Sequence, residues 1–171
     1  MSHEHSKHCD CSSTIAVQSL DEMEFERGIW YAAFHNDIIR LEKFIVAGDA
    51  NKVDSAGFYA LHYAARNGNT EACDLLIQAN AEVDACTKQL QATPLIRAAM
   101  MGHERIMKML LNKGANIYHQ DIDGNTAYHK AAQNNHKNAL SILLKLCSDP
   151  ERLENIRNNK GQRAKDLLVE K

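Results

Sequence analysis

One stretch of this chain returns three more times. Gly57 to Asn69, GFYALHYAARNGN, sets a large apolar residue, an alanine pair and a glycine in an order that reappears elsewhere. The other copies are GIWYAAFHND from Gly28, ATPLIRAAMMGH from Ala92 and NTAYHKAAQNNH from Asn125. The equivalent residues Ile29, Leu61, Leu95 and Tyr128 stand 32, 34 and 33 residues apart. A fixed period of a few tens of residues restricts a chain to stacked copies of one supersecondary unit. Between the copies, Ile38, Leu41, Phe44 and Ile45, then Ala72, Cys73, Leu75 and Leu76, then Ile106, Met107, Leu110 and Leu111, have helical spacing. Each unit therefore reads as helix, bend, helix. Such a unit cannot cover its own apolar faces, and its neighbours must do so.

Composition narrows the function classes. The 171 residues carry a net charge of -2, with no cluster of Lys and Arg on one face that would suit a phosphate backbone, so nucleic acid is not an expected partner. No apolar run reaches the roughly 18 residues that a membrane-crossing helix needs, and MSHEHSKHCDCSS has no apolar stretch after its charges. A soluble, intracellular protein of cytoplasm or nucleus is expected, without a membrane partner. Cys9, Cys11, Cys73, Cys86 and Cys147 are odd in number and take unrelated positions, which favours reduced thiols over a disulfide framework.

In order, residues 1–20 read as a disordered tail. Residues 21–53, 54–87, 88–120 and 121–153 read as four repeats, the first a divergent cap, and 154–171 as a C-terminal capping half-repeat. Asp21 and Glu24 stand as a capping box, predicting a helix start near Met23. Trp30 is expected to pack in the first interface. Gly68 and Gly102 are expected to permit the bends between helices. KQLQATPL carries one extra residue and lacks the turn glycine supplied by Gly57 and Gly124, predicting a distorted or mobile finger at Gln89 to Gln91. Thr93 and Pro94 predict a clean helix start. SDPERLEN adds residues after the fourth unit, and NKGQRAKDLL resembles the opening of a fifth, with Lys165 where an apolar residue would sit.

The span from about Asp21 to Leu168 resembles the ankyrin-repeat family, whose motif TPLHLAAxxGH is matched by Leu61, His62, Ala64, Ala65 and Gly68. The resemblance implies an all-α solenoid of helix pairs with projecting fingers, binding proteins through the finger tips and the exposed side of the first helices. Carried over by position, the implied partner-binding residues are Phe34, Phe58, Arg66, Leu90, Met100, Met101, Ile122 and Asp123. Their apolar members would form a broken strip, and an exposed apolar patch marks an interaction site. His62 and His129, at the motif histidine, are implied to bond backbone between repeats. The expected protein is a monomeric scaffold or adaptor that binds a protein partner and needs no cofactor. GxxxxGK[ST] and GxSxG are absent, and His103-Glu104 fails as HExxH because Met107 stands at the second histidine, so no enzyme is expected. The alternative is a metal-binding or metal-responsive adaptor using His3, His5, His8, Cys9 and Cys11, residue types that take Zn(II) or Cu(I). That cluster is one short segment, without the second ligand pair that a structural zinc site uses. A third class, the substrate of an asparagine-modifying enzyme, is weakened by Asp84 and Tyr118 at the implied asparagine positions.

Overall fold

The computed structural model describes residues 20–168, so the N-terminal histidines and cysteines and the expected tail lie outside the described residues. The helices are α1 (Leu20–Arg27), α2 (Ile29–His35), α3 (Ile38–Val46), α4 (Ala60–Asn67), α5 (Thr70–Gln78), α6 (Pro94–Met101), α7 (Glu104–Asn112), α8 (Ala127–Gln133), α9 (Lys137–Leu146) and α10 (Pro150–Asn155). A 3-10 segment follows at Ala164–Leu167.

Four helix pairs stack: α2 with α3, α4 with α5, α6 with α7 and α8 with α9. The first helix of each pair, here the inner helix, packs on the inner helices of its neighbours, and the outer helices do the same less extensively. The alanine pairs explain the close approach: Ala32, Ala33, Ala64, Ala65, Ala98, Ala99, Ala131 and Ala132 are buried, and their short side chains let backbones come together. Larger residues fill the space between inner and outer layers, with Leu41, Leu76, Met107, Leu110 and Leu143 wholly buried in one continuous core.

Each pair bends at a residue in the left-handed region, Asn36, Gly68, Gly102 and Asn135 in turn. Glycine and asparagine are the residues that enter that region at least cost. The spacing in the sequence thus sets helix length, and the punctuation sets where the chain reverses.

Three segments differ from expectation. Asp21 lies inside the first turn of α1, because that helix already runs from Leu20, so it does not stand ahead of the helix as a cap. The finger at Gln89 to Gln91 is a closed turn in which Gln91 takes a φ of 51°, the role glycine plays in the other fingers. SDPERLEN forms α10, with Arg152 N donating to Asp149 Oδ1 at 3.0 Å and Pro150 in its first turn. Leu153 from α10 is wholly buried at the end of the stack.

Candidate polypeptide-binding face

Each finger closes on the side chain of its first residue. Asp54 N donates to Phe58 O at 3.0 Å, Asp121 N to Asn125 O at 2.9 Å and Asn158 N to Gln162 O at 2.9 Å. The returning amides donate to side-chain oxygens: Phe58 N to Asp54 Oδ1, Asn125 N to Asp121 Oδ1 and Gln162 N to Asn158 Oδ1. In the second finger Thr87 N donates to Ala92 O at 3.1 Å and Ala92 N to Thr87 Oγ1 at 3.1 Å, enclosing one residue more. The inserted residue lengthens the turn without opening it.

Two ladders tie the fingers and helices into one surface. His62 accepts from Tyr59 N through Nδ1 at 3.2 Å, which leaves Nε2 protonated to donate to Ala92 O at 2.9 Å. His129 does the same work, with Nδ1 bonded to Thr126 and Nε2 donating to Gln162 O at 3.2 Å. Trp30, at the matching position of the first pair, donates from Nε1 to Lys52 O at 3.0 Å, so the indole reaches the following finger by another route. Burial pushes the His62 pKa down to about 4, against the opposing effect of its hydrogen bond to Ala92 O, and burial lowers that of His129 in the same sense. Both are neutral structural donors.

The second ladder joins the far ends of the inner helices. Asn69 Nδ2 donates to Ala33 O and Phe34 O, His103 Nε2 to Arg66 O at 2.9 Å and His136 Nε2 to Met100 O at 3.1 Å. These rings occupy the space beside the bend glycines. A Cβ on Gly68 would come within 2.7 Å of the His103 ring, and one on Gly102 within 2.7 Å of His136.

Because the first ladder ties the starts of α2, α4 and α8 to the connections that follow them and the second ties the ends of α2, α4 and α6 to the next bend, the inner helices run parallel. The apolar residues therefore form two rows, separated by the length of an inner helix, roughly 12 Å at 1.5 Å per residue. Phe34, Arg66, Met100 and Met101 lie at the helix ends, and Phe58, Leu90, Ile122 and Asp123 lie on the fingers. Exposure is 37% at Phe34, 43% at Leu90, 46% at Met101 and 56% at Ile122. Phe58 and Met100 are half-buried. Leu90 and Ile122 are neighbours across fingers, with Ile122 N donating to Leu90 O at 3.0 Å.

Between the rows, residues that sequence reasoning missed occupy the middle of the face. The position before each alanine pair holds Tyr31, Tyr63, Arg97 and Lys130. Tyr63 lies 6.2 Å from Phe34 and 5.5 Å from Phe58, ring centre to ring centre, and so bridges the two rows, with Phe25 of α1 5.2 Å away. Its hydroxyl donates to Asp54 Oδ2, and burial, then that bond, raise its pKa. Lys130 pairs with Asp121 at 3.0 Å. The Arg97 guanidinium lies 5.0 Å from the centre of the Phe58 ring. The signal was available in the repeat register: one position, always before the alanines, always polar or aromatic.

Among the described residues, no group of three or more His, Cys, Asp or Glu side chains could hold a metal ion, and no helix is long and apolar enough to cross a membrane. Cys73 is buried and its thiol is pushed up to about 12 by that burial, while burial also raises Cys86. Neither is an activated nucleophile.

Paired helices, bent by left-handed residues and presenting parallel inner helices under a row of fingers, define a stacked-repeat interaction module. A family model described as ankyrin repeats (3 copies) matches residues 29–121, and one described as ankyrin repeat matches residues 123–158. The chain belongs to the ankyrin-repeat family, whose members are generally non-catalytic modules for binding proteins. It is similar to Ankyrin repeat domain-containing protein 39 of Homo sapiens, 48% identical over 82 residues, which are 45% of this chain and 45% of that protein. The protein of the same name from Bos taurus is 57% identical over 53 residues, 30% of this chain and 29% of its own. Inversin of Canis lupus familiaris is 38% identical over 122 residues, covering 70% of this chain and 11% of inversin. The matches span less than half the length of each of these relatives.

Proposed function

We propose that this chain is a monomeric, non-catalytic scaffold or adaptor that holds a polypeptide against its inner helices and fingers. The observation that carries this reading is the exposure of Leu90 and Ile122 on adjoining fingers, on the face where Phe34 and Met101 are also exposed. Apolar side chains in such number are expensive to leave in water, and a partner would bury them. Phe58, Arg66, Met100 and Asp123 complete the proposed surface. Methionine adapts its shape to varied partners, and aromatic and arginine side chains commonly dominate interface energies. Similarity to a putative E3 ubiquitin-protein ligase of Arabidopsis thaliana, 32% identical over 149 residues, covers 80% of this chain and 32% of that protein. The matched length takes in most of the helix stack, and the proposed function includes no ligase activity.

The test is proximity labelling from the intact chain and from Leu90→Asp with Met101→Asp. Both residues are exposed, so helical content should hold while a set of labelled proteins disappears. An unchanged set would remove this face from consideration.

A further inference from the structure

The middle of the inner face holds an arginine that the fold leaves incompletely served. Arg97 on α6 is only 9% exposed, yet no described residue accepts a hydrogen bond from its Nε, and no described carboxylate lies within ion-pair distance of it. Its two terminal nitrogens keep the little solvent access that remains. One face of the guanidinium is stacked on Phe58 at 5.0 Å. A buried charge without a hydrogen-bonded counter-ion is costly, and stacking on a ring offsets only part of that cost. Burial first, and then repulsion from Arg66, lower its pKa, so the surroundings disfavour the cation that they contain.

The repeat register shows what is missing. At the same position in the neighbouring units, Tyr63 donates to Asp54 and Lys130 pairs with Asp121, each using the first residue of its own finger. The first residue of the Arg97 finger is Thr87, whose hydroxyl is occupied with Ala92 N. Arg97 is thus a cation at a position whose own finger supplies no acid. Asp54 and Asp121 are already engaged by Tyr63 and Lys130, so Arg97 in the middle of the face is left without an ion-pair partner among the described residues, and Arg66 at the end of α4 adds like charge.

We propose that Arg97 is the anchor for an aspartate or glutamate side chain of the bound polypeptide, a proposal that rests on the scaffold reading above. A planar guanidinium with both terminal nitrogens available matches a carboxylate in two parallel hydrogen bonds. The incoming carboxylate would stand where the fingers of the adjacent units place Asp54 and Asp121. Phe58 beneath the guanidinium holds it flat, and the exposed Leu90 offers an apolar contact on the same finger row. A monovalent carboxylate fits better than a dianion, because Asp121 lies close enough to act on Arg97 electrostatically.

The test is selection of random linear dodecapeptides from a displayed library on the full-length chain, followed by affinity measurement on Arg97→Gln and Arg97→Lys. The expected result is a shared Asp or Glu at one position, affinity lowered at least tenfold by Arg97→Gln, and a smaller loss with Arg97→Lys, which keeps the charge without the fork. Arg97→Met should fold with an unchanged or higher melting temperature, which separates recognition from a structural role. Peptides that bind without a shared acid, yet lose binding on Leu90→Asp with Met101→Asp, would overturn the role of Arg97 and leave the scaffold reading standing. Peptides indifferent to both sets of substitutions, or no peptides at all, would overturn both. Displacement of the selected peptides by a synthetic peptide of residues 1–19 that itself binds through Arg97 would make this chain its own occupant and overturn a partner.

Discussion

His62 shows how one side chain carries both the fold and its dependence on pH. It is 1% exposed, and its two ring nitrogens are committed to Tyr59 N and Ala92 O. Only the neutral ring can accept at Nδ1 while donating from Nε2. Burial lowers its pKa from 6.5 to about 4, so on acidification the unfolded chain takes up a proton before the folded one does. The stabilisation is complete above the unfolded value and is lost as pH falls from about 6.5 to about 4, by up to about 3 kcal/mol. His129 is lowered in the same direction and adds to the loss. Urea midpoints at pH 7.5 and pH 4.5 should therefore converge in His62→Gln relative to the unmodified chain. An equal decline in both would show that carboxylates alone set the acid response. The motif histidine was legible in the sequence, but Arg97 was not legible as a buried cation. A long basic side chain on a helix ordinarily keeps its head in water, and only the ring of Phe58 from the neighbouring finger shows otherwise.

At the scale of the helix pair, the bends at Gly68 and Gly102 were legible because glycine marks them, whereas those at Asn36 and Asn135 are shown by the structure. Gly102 has a φ of 74° and Gly114 a φ of 87°, so a side chain strains the backbone at either. They differ in surroundings: a Cβ on Gly102 would meet the His136 ring, whereas nothing lies within 4 Å at Gly114. Gly114→Ala should cost about 1–2 kcal/mol from the left-handed backbone alone. Gly102→Ala should cost about 1 kcal/mol more, because the ring must give up its bond to Met100 O. Adding His136→Ala should recover part of that excess. Equal urea midpoints for the two glycine variants would show that the ring moves aside freely. Less was legible where punctuation is absent. The insertion near Gln91 can be counted in the sequence, but nothing there says that a glutamine accepts the left-handed position. Its amide donates to Thr87 O at 2.9 Å, and the closed turn holds it there. Helix α10 was missed for a similar reason: six residues with Leu153 as its one buried side chain give no period to read.

Across the whole molecule, stability is divided among neighbours, and the two ends have one neighbour each. The C-terminal end is closed by α10 and the 3-10 segment, not by a complete helix pair. Leu153 and Ala164 are wholly buried there, Gln162 O accepts from His129, and Asn158 Nδ2 donates to Asn125 Oδ1 at 3.1 Å. The capping role of 154–171 was read from its polar composition, yet the strongest apolar seal is Leu153, just ahead of that span. Removing a buried leucine side chain costs about 2–5 kcal/mol, and in a stack of nearest-neighbour interfaces that cost need not be shared evenly. Leu153→Ala should therefore loosen α8 and α9 first. Native-state hydrogen exchange should lose protection across Ala127–Leu146 while Ala60–Gln78 stays nearly as protected as before. The inner-face contacts of α4 and α6 do not involve Leu153, so binding through Leu90 and Arg97 should survive the substitution. Uniform loss of protection from α2 to α9 would mean that the units open together, and the face could then not outlast its cap.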